Sequence, residues 1–561
     1  MHQPDAAPRA SIYYRYRVHP FRRPPELDGA AAAVPVVVVG GGPVGLLTAL
    51  QLARQGCRCV LLEAELQVSH GSRAIVLTRR SQEILQSAGA IAPFLEKGLP
   101  WSRGRSFFRG REVWRMELPH DPDDRFQPGL NLQQQYIEQY LVEAIEAEPL
   151  VDLRWGSRLV GIAQDAAGAM LRVDTPEGEY ELRADWVVAA DGGRSPLRRM
   201  LGLRMEGRAY AGQFVIADIR ADLGLPTERL CYFDPDWNPG NNVLVHREPD
   251  GIWRLDYRLP DGETAEAALE PARLAERIAA ILTMVGRPVA WELDWAAVYS
   301  ASTLTLPDYV AGRVCFVGDA AHLLPIFGVR GANTGIQDAD ALAWRLALVA
   351  RGAAPPALLR SYSEERVGAA REICAEAGRS TRFMTPPTEG YRVLRDAVLS
   401  FTLSEDFCKE LLHWRTSRPH VYARSALNAA GDAGFAGGVP PGAPLRNVKL
   451  GADDHLLDHL GRGFQLIGFA GPEGPDATLE AVLRAAAAAA VPVACLLVAP
   501  QALPGRAETV LADPAGRVAA LYDAPPGSAY LARPDTHVCA RWRRPTPALL
   551  RAALDTACGK G

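Results

Sequence analysis

The run VPVVVVGGGPVGLLTALQLARQGCRCVLLEAE occupies residues 34–65, and its reading decides the fold. Val36 to Val39 are four β-branched residues in succession, the composition of a parallel strand buried on both faces. Gly40, Gly42 and Gly45 follow in GxGxxG spacing, with Pro43 between them. An alanine- and leucine-rich helix then runs to about Gln55 and stops at Gly56, and Cys59 to Leu62 form a second strand closing on Glu63. In such a strand–turn–helix–strand unit the first glycine makes the tight turn and the second lets the backbone approach a pyrophosphate. The third allows helix and strand to pack closely. A bare helix N-terminus offers N–H groups and partial positive charge to phosphates. Glu63 stands where an acid accepts hydrogen bonds from a ribose hydroxyl pair, which disfavours a 2′-phosphate. The nucleotide is therefore NAD or the ADP half of FAD.

Composition narrows the class. A chain of 561 residues exceeds one ordinary core and implies two or three domains. The net charge is −4 with no run of like charge, so nothing marks a nucleic-acid surface. Nine cysteines without a CxxC argue against a disulfide framework or a metal site and for a reducing, cytoplasmic setting. The polar, Pro-rich start is not a secretory signal. The longest uncharged apolar run, Ala485 to Pro500, is too short for a bilayer and contains Pro492. It reads as the end of a helix followed by a buried strand, in a soluble protein.

Two more glycine–aspartate clusters lie far downstream. In DWVVAADGGRSPLRRMLGL (185–203) a strand ends at Asp191-Gly192. In GRVCFVGDAAHLLPIFGVRGANTGIQDADALAWRLALV (312–349) a strand from Val314 to Val317 delivers Gly318-Asp319, and a long helix begins near Ala332. Taken singly, each aspartate also fits a turn cap. Together with the opening stretch, the series GxGxxG, DG and GD-AAH-x-x-P-x-x-G-x-x-G-x-N-T-G-x-x-D-A resembles the single-component (class A) FAD-dependent aromatic hydroxylases. This is the family of para-hydroxybenzoate hydroxylase, phenol hydroxylase and 3-(3-hydroxyphenyl)propionate hydroxylase, and the resemblance covers about residues 34–380.

The resemblance implies an α/β fold with a Rossmann-type FAD-binding domain, an inserted mixed β-sheet substrate domain and a C-terminal thioredoxin-like domain. By similarity Gly40, Gly42, Pro43, Gly45 and Glu63 hold the ADP part of tightly bound, non-covalent FAD. Arg73 lies near the pyrophosphate and ribityl chain, Gln134 on the ribityl side, and Asp191-Gly192 at a site shared with the nicotinamide cofactor. Gly318 and Asp319 face the ribityl hydroxyls, while Gly331, Ala332 and Asn333 open a helix aimed at the flavin edge that gains negative charge on reduction. Arg194 is equally an exposed helix cap or a phosphate contact. His322 reads as structural. Ile326 stands where the family usually has a second proline, which puts one substrate contact of some relatives in doubt. The implied chemistry is reduction of FAD by NADH or NADPH, addition of O2 at flavin C4a, and transfer of one oxygen to a phenolic ring in aromatic catabolism. The alternatives are oxygenation of a larger polycyclic natural product, or flavin binding without turnover.

Between the second and third motifs the pattern changes to strands. Asn242 to Arg247 and Ile252 to Leu259, joined by a turn at residues 248–251, read as a hairpin. Trp253, Leu255 and Tyr257 share one face of the second strand, and Arg254, Asp256 and Arg258 share the other. Candidate pocket residues are Tyr232, His246, Arg254 and Tyr257, with His246, Tyr257 and Arg254 as catalytic candidates and His246 favoured as phenol base. Alternating charge on a strand otherwise reads as a solvated face. The expected organisation is an N-terminal extension over 1–33 that wraps the surface, with the alternative that it helps cover the active site, FAD-binding segments 34–200 and 300–400, and a substrate sheet over 201–299. A helical segment and linker over 401–444 precede a thioredoxin-like unit over 445–561, in a homodimer.

Overall fold

The structure is a computed structural model that describes residues 1–30, 33–260, 262–325, 328–411, 419–429 and 434–560. Strand β1 (Ala33–Val39), helix α1 (Pro43–Arg54) and strand β2 (Cys59–Leu62) form the expected unit. β1 runs parallel to β2 on one side and to Gly178–Ala189 on the other. Val36, Val37 and Val38 are fully buried, because helices cover one face of this sheet and the rest of the core the other. The parallel strand Val314–Phe316 pairs next to Gly178–Ala189. Register then determines where the site lies. Val39 is opposite Ala189, and Ala189 is opposite Phe316. The three glycine loops that leave these strands therefore emerge side by side at one sheet edge, where open α/β sheets bind ligands.

A second, eight-stranded sheet stands over that edge. Its order is His322–Leu323, Trp291–Thr305, Glu206–Ala221, Ile252–Arg258, Asn242–Arg247, Arg229–Phe233, Arg103–Phe108 and Arg111–Glu117. The substrate sheet is thus not confined to 201–299, because strands from 103–117 complete it on one side. The expected hairpin is present, with Val243 opposite Tyr257 and His246 opposite Arg254. One face packs Val243, Val245, Trp253, Leu255 and Tyr257 against Leu274, Ile278 and Ile281 of helix Pro271–Met284.

Residues 464–542 form a separate five-stranded mixed sheet, with Phe464–Phe469 parallel to Val493–Ala499 and antiparallel to Ala529–Ala532. The run from Ala485 divides as expected into the end of helix Ala477–Ala487 and this strand. Buried Arg345, Arg533 and Glu365 join this part to the first domain, with both arginines 2.6 Å from the Glu365 carboxylate. No helix among the described residues is long and apolar enough to cross a membrane.

The N-terminal extension does more than wrap a surface. Gln67 holds it by accepting from Arg9 N–H (3.0 Å) and donating to the Ala7 carbonyl (2.8 Å). Asp294 of the second sheet accepts from Ser11 Oγ and Ile12 N–H, both at 2.7 Å. Buried Tyr14 and Tyr16 pack edge-on, and Tyr14 packs edge-on with Tyr136. The extension therefore bridges the first domain and the second sheet.

Candidate active site

The three loops converge on one cavity of about 630 Å³, which opens onto a smaller one of about 300 Å³ sharing Gly42, Glu63, Ser69, Arg73 and Gln134. Gly40 has φ +110, and a Cβ there would run into the Ala190 carbonyl, so only glycine fits. Gly45 does not line the cavity. A Cβ on it would overlap the Gly40 carbonyl, which is the close helix–strand packing its spacing implied. Gly42, Pro43 and the start of α1 face the cavity, and no side chain caps that helix. The second helix, Gly331–Ala350, likewise begins at the cavity wall without a side-chain cap. Two sets of free N–H groups and two positive dipole ends thus point into one space.

Polar side chains line the wall between them. Glu63 accepts from Gly41 N–H (2.6 Å) and Glu65 N–H (2.9 Å), and burial raises its pKa. Gln134 accepts from Arg73 N–H (3.2 Å) and Ala74 N–H (3.3 Å), so the segment carrying Arg73 is fixed in place. The Arg73 guanidinium is exposed to both cavities. Buried Glu138 reinforces the wall by accepting from Ser69 N–H (2.6 Å), Ser69 Oγ (2.8 Å) and Gln134 Nε2 (2.8 Å). Burial pushes its pKa to about 7. Asp191 accepts from Leu197 N–H (2.9 Å) through one oxygen, while the other is buried without a partner among the described residues. Asp319 opens onto the cavity, and Gly192 lines it; Gly318, at φ +58, sits behind against Val44. Uncapped helix ends, an open Arg73 and carboxylates with unused oxygens form a donor and acceptor set that fits the phosphates and hydroxyls of FAD.

Asn333 lines the cavity through its helix position, but its side chain is fully engaged. It accepts from Thr78 N–H (2.9 Å) and Ser81 Oγ (2.6 Å) and donates to the Val76 carbonyl (2.8 Å). His322 lies outside the cavity, fully buried, with Nε2 2.7 Å from Asp338, whose other oxygen is 2.6 Å from Arg366. The three side chains form a buried His–Asp–Arg chain. Arg194 is exposed and does not line the cavity. Ile326 lies outside the described residues.

The second sheet provides the remaining wall, and here two expectations are corrected. Tyr257 and Tyr232 do not face the cavity. Both belong to the apolar face behind it, Tyr257 edge-on to Trp237 and Tyr232 stacked on Phe107. The period of two places them there, because their neighbours Arg254 and Asp256 point the other way. The charged face is not solvated. Arg254, 2% exposed, donates to Asp218 through Nε (2.8 Å) and Nη2 (2.7 Å) and to the carbonyl of Ser72. It is an internal tie between the sheet and the Arg73 segment. His246 lines the cavity with its pKa driven well below the usual histidine range by burial and by Arg229 and Arg254. Its Nε2 is 3.7 Å from Asp256, a cavity residue absent from the sequence-based candidates, whose pKa burial pushes to about 7. Arg229, Tyr299 and Glu138 were also missed. The Arg254–Asp256 alternation signalled Asp256 and was read as solvated; Arg229 and Tyr299 carry no local pattern.

Residues 33–377 match a family model described as FAD binding domain. The chain is 32% identical over 370 residues to a 3-(3-hydroxy-phenyl)propionate/3-hydroxycinnamic acid hydroxylase of Mycolicibacterium smegmatis, covering 65% of this chain and 64% of that one, just under two thirds. It is 31% identical over 440 residues to a second such hydroxylase from Burkholderia vietnamiensis, covering 77% and 79%. Among solved structures, the flavin-dependent monooxygenase PieE in complex with FAD and substrate superposes with a TM-score of 0.79 at 24% identity, over 94% of this chain and all of that one. A ternary complex of aklavinone-11 hydroxylase with FAD and aklavinone gives 0.74 at 25% identity, over 93% and 99%.

Proposed function

Because the chain belongs to the FAD-dependent aromatic hydroxylases, we propose that it adds one oxygen atom from O2 to a phenolic ring at the expense of NADH or NADPH. The observation that carries this reading is the convergence of three loops, at Gly40–Gly42, Asp191–Gly192 and Gly318–Asp319, and a second helix N-terminus on one cavity walled by the substrate sheet. FAD bound there supplies the two-electron activation of O2 that an organic side chain cannot.

The chain's own residues bind, orient and move protons. Glu63 addresses the ribose, Arg73 and the α1 N-terminus the pyrophosphate, and Gln134 and Asp319 the ribityl chain. The positive end of the Gly331 helix would stabilise the negative charge that the flavin gains on reduction. Ile216, Leu244 and Tyr299 hold the substrate ring, and the apolar enclosure excludes water from the reacting oxygen. His246, kept neutral by burial and by Arg229 and Arg254, hydrogen-bonds the phenol, and Asp256 beside it, whose pKa burial raises to about 7, accepts the proton. The test is aromatic-stimulated NAD(P)H oxidation under labelled O2. One labelled oxygen in the product supports the reading, and hydrogen peroxide as sole product contradicts it.

A second reading, oxygenation of a larger polycyclic substrate, is favoured by the likeness to the aklavinone-11 hydroxylase complex along 93% of this chain. The five-stranded C-terminal sheet is consistent with a thioredoxin-like unit. All nine cysteines are free, and none forms a CxxC, so its role is packing and not redox exchange. Association into a homodimer is supported by exposed Val393, Leu394, Phe401 and Phe407 around helix Glu389–Phe401. The composition and free cysteines support a cytoplasmic setting.

A further inference from the structure

The family model matches from residue 33 onward, so the N-terminal extension lies outside the part of the chain that carries the shared motifs. It nevertheless fastens the cofactor wall. The segment 63–73, which runs from Glu63 to Arg73, lines both cavities, and Arg9 of the extension lines the smaller one together with Gly41 and Gly42. The Arg9 guanidinium donates to the Val68 carbonyl (2.5 Å) and to Glu65 (3.1 Å). Tyr16, 5% exposed, uses one hydroxyl twice, donating to the Ser69 carbonyl and accepting from Gly71 N–H, both at 3.3 Å. His19 N–H donates to the Leu66 carbonyl at 2.8 Å.

The wall depends on these ties because residues 66–73 contain no helix or strand, so no ladder of their own holds them. Gly71 is buried at φ +72, and a Cβ there would overlap the Trp295 indole of the second sheet. The turn is therefore wedged between that sheet and the Tyr16 hydroxyl. Glu138 and Gln134 hold it from the α4 side through Ser69 and Arg73. The extension is itself pinned to the second sheet, where Asp294 accepts from Ser11 and Ile12 and Arg220 donates to the Ile12 carbonyl.

We propose that residues 9–16 are a strap that retains FAD, with Arg9 and Tyr16 as positioning residues that act on the cofactor through the 65–71 turn. The inference rests on the reading of the larger cavity as the FAD site. FAD seated there meets the 63–73 wall, and its release moves that wall and breaks the bonds from Arg9 and Tyr16. Each of these bonds adds to the barrier for release, and neither side chain takes part in oxygen transfer.

The test measures FAD dissociation from the reconstituted full chain, mixed with an excess of a flavin-scavenging apoprotein and followed by flavin fluorescence. Tyr16→Phe keeps the ring packing and loses the hydroxyl, and Arg9→Met keeps the length and loses the charge. Each is expected to release FAD about 10-fold faster than wild type, the worth of one or two hydrogen bonds, and Arg9→Lys to recover part of the loss. Arg17→Met, which breaks an exposed pair with Glu146, should stay within about threefold of wild type. Hydrogen exchange should rise at residues 65–73 in Tyr16→Phe and Arg9→Met and stay unchanged in the second sheet, a confinement that general loss of stability would not produce. Release within about threefold of wild type in both variants, or exchange that rises throughout the chain, overturns the proposal and leaves the FAD reading intact. A wild-type chain that binds no FAD overturns both.

Discussion

Arg254→Met removes a charge while keeping most of the side chain's length and apolar bulk. Asp218 is 1% exposed and Glu248 0% exposed, so neither carboxyl can turn to water when the guanidinium is gone. Burial raises the pKa of both, and Arg254 is the opposing influence on each. Asp218 loses two hydrogen bonds of 2.8 and 2.7 Å together with its counter-charge. Breaking a buried pair from one side costs roughly 3–5 kcal/mol, a large part of the roughly 5–15 kcal/mol that holds a typical domain folded. The same guanidinium donates to the carbonyl of Ser72, so the segment that presents Arg73 to the cavity also loses a tether. Urea unfolding of the FAD-free protein should show the first transition destabilised by that amount. Fluorescence titration should show FAD binding weakened about tenfold, the worth of one or two hydrogen bonds. Adding Asp218→Asn removes the stranded carboxylate and should restore part of the stability but not the FAD affinity. The reasoning is refuted if Arg254→Met unfolds within about 1 kcal/mol of wild type, or if the double variant is less stable than the single one.

Gly45→Ala places a methyl group against the Gly40 carbonyl and presses it toward Ala190, so α1 must move off β1. FAD content after purification should fall to near zero while the far-ultraviolet circular dichroism stays native-like. His322→Ala strands buried Asp338 with only Arg366 and should lower the melting temperature, whereas the surviving enzyme keeps the wild-type pH profile; a shifted profile would make His322 part of the chemistry. Asp256, Glu138 and Asp340 are each pushed up to about 7 by burial, from about 4 in the unfolded chain. The folded state therefore binds more protons, and their contribution to stability is lost as pH rises through 7. His19 and His420, lowered to about 4 and about 3, oppose this only below the unfolded histidine value of about 6.5. The FAD-free protein should thus melt at lower temperature at about pH 8 than at about pH 6.5, with a shallower slope in Asp256→Asn; a flat or rising profile contradicts this.

What the sequence made legible was local. The GxGxxG unit, its Glu63 and the two later glycine–aspartate loops each depend on neighbours within a few residues, and strand register alone then brings them together. The hairpin at 242–258 was legible for the same reason, since its turn and alternation are local. What was not legible depends on distant partners. The charged face of Ile252–Arg258 reads as solvated until Asp218, far away on the next strand, is seen to neutralise Arg254. Tyr257 is aromatic and near the site in sequence, yet alternation turns it to the core once Arg254 is drawn to Asp218. The strands at 103–117 join the substrate sheet across a long gap in sequence, and the role of the N-terminal extension depends on Gln67 and Asp294, which no local pattern connects to it.

The central claim is that three loops from separate parts of the chain grip one FAD. Its most direct measurement is the flavin released on denaturing the purified protein, after incubation with FAD and removal of the excess. One FAD per chain, reduced to near zero in Gly45→Ala, is the result this account predicts. A wild-type protein that stays colourless, or that holds as much flavin when Gly45 is replaced as when it is not, would contradict it.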